Sequence, residues 1–558
     1  MKLLFSYKYS KYNLVPYYAS NIIMEPKSVE NEEKRKYKIP MEYLFIFLGI
    51  LLFISLISFF SKRNNSLRNE NDILRKQNDE LKRLNTDNYP VTNEAKENKF
   101  DARIQEESKL PKDFVFTDDF RNAFELIEKT NYSVFITGKA GTGKSTLLEY
   151  FRLTTKKKTV CLAPTGVAAL NIRAQTIHSL FKFPHEVITD DNIENISYKE
   201  DVRELFKHVD AILIDEISMV RADVLQGVDY ILKKFRDEQK PFGGIQMIFI
   251  GDMYQLPPVV SKKDKIEIIF DNGEIFNGCI IDYFNLKYRG HYFFNSDAFE
   301  EADFKFLELN TIFRQKDNDF INILNSIREN NFNNETLSKL NKQYIEGIDV
   351  YDNRGIVLCT KNDLVEKRNN KMMEKLQTTA FTYEAKITGS FAEVASKDYP
   401  APKILTLKQG AQIMMLKNDQ EGRWVNGTIG IIDDLSSGEI KVKINRIIYT
   451  VNQHEWEAIN YVYDSDQDKL ISNVIGTFRQ YPIMLAWAIT IHKSQGKTFD
   501  KAVIDLGDGA FAHGQTYVAL SRCKTIEGIT LKRPVKSKDI IVDDKVVQFI
   551  KEMKNKII

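Results

Sequence analysis

Two hydrophobic patterns of different length divide the chain. Between Tyr43 and Phe60 an apolar run continues for eighteen residues without a charged side chain. From Pro111 onward, apolar residues instead come in short runs such as SVFIT, AILID and QMIFIGD, and helical stretches separate these runs. Short, almost wholly apolar runs are typical of parallel strands covered on both faces, so this part of the chain is predicted to adopt an α/β fold.

The long run has nearly the length that a membrane-spanning helix needs. Eighteen residues extend about 27 Å as a helix, and the hydrocarbon core of a bilayer is roughly 30 Å thick. Lys62 and Arg63 follow directly, so residues 43–60 are predicted to be a transmembrane helix. The alternatives are a buried core helix and a cleaved signal peptide, although no small-residue cleavage site follows. Five basic residues lie within twenty positions on each side, so charge does not decide the orientation.

Residues 61–110 are predicted to form a helical stalk followed by a linker. Leucine recurs every seven residues from Leu67 to Leu81, and asparagines fill the partner core positions. This pattern fits either a solvated helical spacer or a weak parallel coiled-coil dimer. After Asn85 the chain is polar and charged, as linkers are. Residues 1–42 form a polar tail without an evident fold.

The sequence ITGKAGTGKSTLL matches the phosphate-binding pattern GxxxxGK[ST] between a predicted strand and a predicted helix. In this context backbone N–H groups and the helix N-terminus hold the phosphates of a nucleotide. Lys144 is predicted to reach the β- and γ-phosphates, and the Ser145 hydroxyl to bind Mg²⁺. The predicted nucleotide-binding residues of this loop are Gly138, Lys139, Ala140, Gly141, Thr142, Gly143, Lys144, Ser145 and Thr146.

AILIDEISMV places two carboxylates at the end of a predicted buried strand. There, Asp215 can hold Mg²⁺ through water, and Glu216 can orient and deprotonate the attacking water. Two acids at a strand end are otherwise ordinary solvated loop residues, but the phosphate-binding loop upstream favours nucleotide hydrolysis.

The composition indicates the redox state of the compartment, but it does not indicate whether the partner is a nucleic acid. The 558 residues carry a formal net charge of +2, so any basic groove for nucleic acid must be local. The four cysteines lie far apart without a CxxC pair. This spacing favours a reducing compartment and argues against a zinc site or a disulfide framework.

Nine sequence blocks occur in one order, and together they resemble the Pif-type, RecD-like branch of superfamily 1 helicases from about Phe114 to Lys532. The blocks are APTGVAALNI, QTIHSLF, DEISMV, PFGGIQMIFIGDMYQLPPV, FRQ, LKQGAQIMML, WVNGTIG, AITIHKSQGKTFD and GQTYVALSRC. The resemblance implies two RecA-like P-loop domains with parallel sheets, ATP in the cleft between them, and a small SH3-like β insertion in the second. The implied boundaries are 111–307 for the first domain, 308–402 and 480–558 for the second, and 403–479 for the region containing the insertion.

The resemblance also implies roles for residues on both sides of the cleft. Gln255 would sense the γ-phosphate, and Gln495 and Gly496 would adjoin the nucleotide. Arg314 and Arg522 would clamp the γ-phosphate, since guanidinium groups stabilise the charge of a transferring phosphoryl group. The alternative for each arginine is a surface salt bridge. The expected catalytic residues are Lys144, Asp215, Glu216, Gln255, Arg314 and Arg522.

Strand binding is implied for residues whose side chains donate hydrogen bonds to phosphates, which hold a strand without reading its sequence. A lone histidine such as His178 is as often a packed polar residue. Phe181 and Trp424 are candidate stacking surfaces, although aromatic residues at such positions are more often core. The implied strand-binding residues are Thr165, Thr176, His178, Thr490, His492, Lys493 and Ser494.

One position departs from the family pattern. Relatives commonly carry a glutamine before the P-loop that reads the adenine edge, and here Phe120 stands where it is expected. Phenylalanine cannot form those hydrogen bonds, so we expect weak discrimination between ATP and GTP.

The resemblance implies an ATP-dependent DNA helicase that moves 5′-to-3′ on single-stranded or forked DNA, and the long apolar run predicts that it is tethered to a membrane. A helicase needs ATP, Mg²⁺ and nucleic acid, so its domains are expected to face the cytoplasm, at the inner membrane of a bacterium. One alternative is a membrane-tethered P-loop ATPase that acts on RNA or protein. Another is a catalytically silent tether, which would not need all six expected catalytic residues.

Overall fold

The computed structural model describes residues 116–236, 238–260, 264–269, 274–349, 355–393 and 399–556. The predicted tail (1–42), transmembrane helix (43–60) and stalk with its linker (61–110) lie outside these residues. No helix within the described ranges is long and apolar enough to cross a membrane. Residues Lys99–Ile558 form one compact unit.

A six-stranded parallel sheet forms the centre of the first domain. Its strands are β1 Val134–Gly138, β2 Thr159–Ala163, β3 Gln175–Thr176, β4 Ala211–Ile214, β5 Gln246–Ile250 and β8 Lys305–Leu309. Their spatial order is β3-β2-β4-β5-β1-β8, so β4, β5 and β1 are neighbours. Because parallel strands end at the same edge, the segments that follow these three strands meet there.

Helices cover both faces of this sheet, which explains the wholly apolar runs. Phe135 of β1 packs in one core with Phe249, whereas its neighbour Ile136 packs in the opposite core with Leu147. The helices are α1 Asp118–Lys129, α2 Lys144–Thr154, α3 Gly166–Asn171, α4 Ile177–Phe181, α5 Asp190–Glu194, α6 Glu200–His208, α7 Ala222–Arg236, α8 Ile280–Tyr288 and α9 Asp297–Glu301.

A short hairpin lies between β5 and α8, between two of the family-like blocks. Its strands are β6 Lys265–Ile269 and β7 Ile275–Cys279, which pair antiparallel. Ile268 of this hairpin and Tyr283 of α8 pack against Val187 and Ala222. The hairpin is therefore packed on the first domain.

The predicted end of the first domain at residue 307 cuts through a strand. β8 pairs with β1 along its whole length, up to the pair Gly138↔Leu309. The first sheet therefore ends at Leu309, two residues later than predicted, because hydrogen bonding to a distant strand sets the boundary.

A second, four-stranded parallel sheet forms the centre of the second domain, so the predicted parallel sheets are present. Its strands are β9 Ile356–Cys359, β20 Ala488–Thr490, β21 Ala502–Asp505 and β22 Ile529–Leu531, in the order β20-β9-β21-β22. Its helices are α10 Asn318–Arg328, α11 Asn334–Asn341, α12 Asn362–Lys375 and α13 Gln515–Leu520.

The antiparallel insertion in the second domain extends from residue 380 to 485, beyond the predicted 403–479. Three sheets, β10-β12, β11-β18-β17 and β16-β15-β14-β13-β19, are built from the following strands. The strands are β10 Ala380–Glu384, β11 Lys386–Gly389, β12 Ile404–Lys408, β13 Gln412–Met415, β14 Ile429–Leu435, β15 Ile440–Ile444, β16 Ile447–Val451, β17 His454–Asp464, β18 Lys469–Gln480 and β19 Ile483–Leu485. The early strands escaped prediction because their partners are distant, as in Lys386↔Arg479.

The long β17–β18 hairpin of the insertion contacts the first domain. The Tyr463 ring stacks on His208 with centroids 3.9 Å apart. Lys158 and Asp468 form an ion pair with 2.6 Å between Nζ and Oδ1. The hydroxyl of Tyr461 accepts a hydrogen bond from the Cys161 amide of β2. The insertion is thus packed on the first domain as well as joined to the second.

The last helix, α14 Asp544–Lys554, packs on the first domain, although residues 480–558 were predicted to belong wholly to the second. Phe549 stacks on Phe294 at a centroid distance of 4.1 Å and joins the core around Phe135. Lys554 also pairs with Glu308 at 2.9 Å. This assignment was wrong because an amphipathic helix does not reveal which apolar surface it covers.

Candidate nucleotide cleft and strand-binding surface

The phosphate-binding loop leaves β1 and enters α2 through two glycines with left-handed backbone angles. Gly141 has φ +86° and Gly143 has φ +88°, a conformation that glycine adopts without strain. A Cβ at Gly141 would lie 2.5 Å from the Cβ of Arg314, so only glycine fits against that residue. The loop conformation and its contact with Arg314 both depend on these glycines.

Lys144 lies inside the loop, with its ammonium group over the loop carbonyls. Its Nζ donates to the carbonyl oxygens of Gly138 at 2.6 Å and Lys139 at 3.1 Å. Burial holds the pKa of Lys144 below its usual value despite the nearby carboxylates, Asp252 first among them. An ammonium group that is desolvated in this way gains a strong partner when phosphate enters the loop.

Asp215 and Glu216 follow β4, which is the direct neighbour of β5; Asp215 is buried and Glu216 is half-buried. Burial first, and then the neighbouring Glu216, raises the pKa of Asp215 to about 7. Burial also raises the pKa of Glu216, which has the left-handed φ of 50° that is uncommon outside glycine. Ser145 is exposed in the first turn of α2. The buried Asp215 carboxylate and the exposed Ser145 hydroxyl are suitable ligands for Mg²⁺. This ion binds one or two protein oxygens together with the phosphates of the nucleotide.

Two arginines form the opposite wall. The guanidinium group of Arg522 is buried, and it donates to Val518 O at 2.8 Å and to Ser521 Oγ at 2.7 Å. Burial first, and then Arg314, lowers its pKa to about 9. Arg314 donates to Ser521 O at 3.2 Å, and burial lowers its pKa as well. A surface salt bridge therefore describes neither residue.

Two glutamines lie at the junction of the walls. Gln495 donates from Nε2 to Glu216 Oε2 at 3.2 Å, so the IHKSQG segment touches the predicted water-activating carboxylate. Gln255 is buried and donates from Nε2 to Asp252 Oδ2 at 3.0 Å. Gly496 is exposed, with nothing within 4 Å of the position that a Cβ would occupy.

The structure adds three residues to the cleft that the sequence interpretation missed. The Tyr517 hydroxyl accepts a hydrogen bond from the Ala140 amide of the phosphate-binding loop at 3.1 Å. The Phe313 ring lies 3.7 Å from the Cβ position of Gly143. Arg328 pairs with Asp252. Phe313 adjoins Arg314, and Tyr517 lies in the same block as Arg522, so those blocks were the available signal. Nothing in the local sequence distinguishes Arg328.

The predicted strand-binding residues of the first domain begin two short helices. Thr165 and Thr176 cap α3 and α4, where their hydroxyl oxygens accept from amides within the same turn at 3.3 and 3.1 Å. Each hydroxyl can still donate its proton to a phosphate. His178 stacks on His185 at 5.8 Å, and burial first, and then Arg221 and His185, lowers its pKa to about 4. His178 is therefore neutral near pH 7.

In the second domain the predicted strand-binding residues differ in accessibility. Lys493 is exposed, and His492 is half-buried with its pKa lowered by burial. The Thr490 side chain is buried and caps the following turn. Ser494 is completely buried and donates to Ile491 O at 2.7 Å, so its hydroxyl is not presented to a strand. The expectation for Ser494 was wrong, because sequence proximity does not show which side of a tight turn faces inward.

The aromatic candidates are core residues. Phe181 is inaccessible and stacks on Phe206, while Trp424 packs against Tyr449. Phe120 is buried beside Tyr150. The alternative interpretation of Phe181 and Trp424 as packing residues is the one that the structure supports.

A phosphate-binding loop on one parallel-sheet domain, faced by the half-buried Arg314 and the buried Arg522 of a second such domain, defines a two-domain P-loop ATPase. Residues 115–337 match the model of the PIF1-like helicase family, and residues 391–435 match that of the 2B domain of DNA helicase Pif1. The chain is 31% identical to the ATP-dependent DNA helicase Pif1 of Bdellovibrio bacteriovorus, over 77% of this chain and 90% of that protein. The chain therefore belongs to the PIF1-like helicases, a family of ATP-dependent DNA helicases, as its sequence blocks predicted.

Other proteins similar to this chain are also Pif1 helicases. The Pif1 helicase of Psychrobacter sp. is 32% identical over 73% of this chain, but the alignment covers only 66% of that longer protein. The crystal structure of Bacteroides sp. Pif1 with ADP-AlF4 matches with a TM-score of 0.72 and 34% identity, over 79% of this chain and 98% of that chain. The same protein bound to single-stranded DNA matches with a TM-score of 0.57 over the same shares of the two chains.

Proposed function

We propose that this chain hydrolyses ATP to move 5′-to-3′ along single-stranded DNA and to unwind duplex at a fork. The observation that carries the proposal is the cleft itself. Lys144 and the carboxylates of one domain face Arg314 and Arg522 of the other, and Gln495 already bridges the walls at Glu216. A site completed by two domains changes when those domains move, which is what a strand motor requires.

Each residue of the cleft has a chemical task in this proposal. The loop amides and Lys144 bind the β- and γ-phosphates, and Ser145 and Asp215 hold Mg²⁺, which supplies charge neutralisation when bound. Glu216 accepts a proton from the attacking water, a task that its raised pKa favours. Arg314 and Arg522 exchange their carbonyl partners for the γ-phosphate oxygens.

Support for DNA as the partner comes from two sources. The related Bacteroides Pif1 binds single-stranded DNA. In this chain Thr165, Thr176, His178, His492 and Lys493 supply hydroxyl, imidazole and ammonium groups of the kind that contact a phosphate backbone. The polarity of movement rests on the family alone.

The test is ATP hydrolysis by residues 99–558, the compact unit, with and without single-stranded DNA. We expect strong stimulation by DNA and loss of hydrolysis in Lys144→Ala, with Lys156→Ala, an exposed lysine after α2, as the matched control. The second candidate, an ATPase that acts on RNA or protein, predicts stimulation by RNA or indifference to any nucleic acid.

Residues 43–60 are proposed to tether the helicase to the bacterial inner membrane, with the enzyme domains in the cytoplasm. The uncharged apolar run supports the tether, and the need for ATP and DNA supports the orientation. The full chain should resist extraction from membranes by alkaline carbonate, whereas residues 61–558 should be released. Equal release of both would contradict the tether.

The stalk within residues 61–110 is proposed to associate weakly as a parallel dimer through its leucine heptads. Sedimentation of residues 61–558 should show a dimer at micromolar concentration that residues 99–558 do not form. A monomer in both cases would leave the solvated spacer as the correct description.

A further inference from the structure

The second domain forms hydrogen bonds at two places with the loop that follows β5, residues 251–256. Arg328, the last residue of α10, donates from Nη2 to Asp252 Oδ1 at 3.0 Å, and both side chains are almost completely buried. His513, just before α13, donates from Nε2 to the Met253 carbonyl at 2.8 Å. Any displacement of the second domain must therefore move this loop or break these contacts.

Asp252 connects Arg328 to the predicted γ-phosphate sensor. One carboxylate oxygen of Asp252 accepts from Arg328, and the other accepts from Gln255 Nε2 at 3.0 Å. The guanidinium group of Arg328 also lies over the Tyr254 ring, 4.2 Å from its centroid. Arg328 thus holds the residues on both sides of Met253, and Asp252 connects it to Gln255.

The charge of Asp252 is shared with the phosphate-binding loop. Burial alone would raise the pKa of Asp252, but Arg328 and then Lys144 outweigh burial and lower it. Asp252 is likewise the first carboxylate that supports the charged form of Lys144. One carboxylate therefore lies between the P-loop lysine of the first domain and an arginine of the second.

We propose that Arg328 is a positioning residue for ATP hydrolysis: through Asp252 it orients Gln255 according to the position of the second domain. The planar, permanently charged guanidinium suits this task, because it fixes the direction of its partner as well as its distance. The proposal rests on the proposed function, since it supplies a route by which strand binding that moves the domains reaches the hydrolytic site.

The alternative is that Arg328 and Asp252 form an ordinary structural ion pair, for which burial is weak evidence of stabilisation. A structural role lowers the amount of active enzyme, and it lowers hydrolysis equally with and without DNA. A positioning role changes kcat with DNA far more than basal kcat or KM. The ratio of stimulated to basal hydrolysis therefore separates the two roles.

The experiment measures kcat and KM for ATP in residues 99–558, with and without a thymidine oligonucleotide, for wild type, Arg328→Met and Arg328→Lys. We expect DNA-stimulated kcat to fall about 10- to 100-fold in both variants, because small misplacement of a catalytic group is costly. KM for ATP should change less than about threefold, since the P-loop contacts remain.

The matched control is Arg368→Lys, a buried arginine that donates to the Trp487 carbonyl within the second domain and should leave the ratio unchanged. If Arg328→Met fails to fold, Arg328→Lys and the charge-neutral pair Arg328→Met with Asp252→Asn carry the test. Equal losses with and without DNA in the folded variants would overturn the proposal. Absence of DNA stimulation in the wild type would instead overturn the proposed function itself.

Discussion

The two walls of the nucleotide cleft carry opposite charges and respond to burial in opposite directions. On the first domain, burial raises the pKa of Asp215 to about 7. On the second, it lowers the pKa of Arg522 to about 9. In each case the charged form is disfavoured, because water has been replaced by protein without a full ionic partner.

This difference shows that neither wall is complete alone. The Arg522 guanidinium donates to backbone and hydroxyl oxygens, and the nearby opposite charges, Glu216 for Arg522 and Lys144 for Asp215, only partly offset the effect of burial. A magnesium nucleotide would bring further charge of both signs into the cleft. Lys144 and Asp252 are the exception, since each supports the charged form of the other inside the first domain. The charges are therefore already balanced at the P-loop, whereas the other charged groups of the cleft gain their full balancing charge only when the ligand binds.

Removing an arginine from the positively charged wall should have the largest effect on the rate of ATP hydrolysis. We expect Arg522→Ala to lower kcat about a thousandfold or more, because arginines that neutralise the transferring phosphoryl group are worth this much. The affinity for ATP, measured with a fluorescent analogue, should change only a few-fold. Arg203→Ala, on the exposed side of α6, is the control. A loss below threefold in folded Arg522→Ala would show that this guanidinium does not reach the reacting phosphate.

The negative wall should make stability depend on pH. The pKa of Asp215 in the folded chain, about 7, lies above its unfolded value, so the folded state binds the proton more tightly. Its contribution to the free energy of unfolding is greatest below about pH 4 and falls as pH rises towards 7. Relative to Asp215→Asn, wild type should lose roughly 1–4 kcal/mol across this window in urea unfolding without nucleotide. Parallel profiles for the two proteins would contradict this account.

The part of the cleft that receives the base should discriminate only weakly between adenine and guanine, and this is the smallest effect that we expect. Phe120 is packed beside Tyr150 and offers no hydrogen bond to a base, and the exposed ring of Phe313, beside Gly143, offers only a stacking surface. We expect kcat/KM for ATP and GTP to differ less than about tenfold, since discrimination by stacking alone is small. A preference for ATP above a hundredfold would show that another group reads the adenine edge.

Local sequence predicted the P-loop, the two strand-end carboxylates and the parallel-sheet domains because each leaves a short-range signature. The apolar runs are wholly apolar because both faces are covered, and the glycines of the loop are needed for their backbone angles. The order of the nine blocks extended this prediction to Gln255, Arg314 and Arg522. The structure brings all of these residues to the cleft.

Contacts between distant segments were decided only by tertiary structure. Helix α14 would have the same amphipathic pattern whichever domain it covered, so only packing shows that it covers the first. The sequence of β11 does not stand out from its neighbours, and only its pairing with β18 identifies it as a strand. Ser494 matches the strand-binding block but faces its own turn. Arg328 became a candidate only when folding placed Asp252 beside it. The sequence by itself determined the chemistry and the fold class, because these depend on residue type and period. Three-dimensional packing decided which groups touch across the domains, because burial and pairing depend on partners far along the chain.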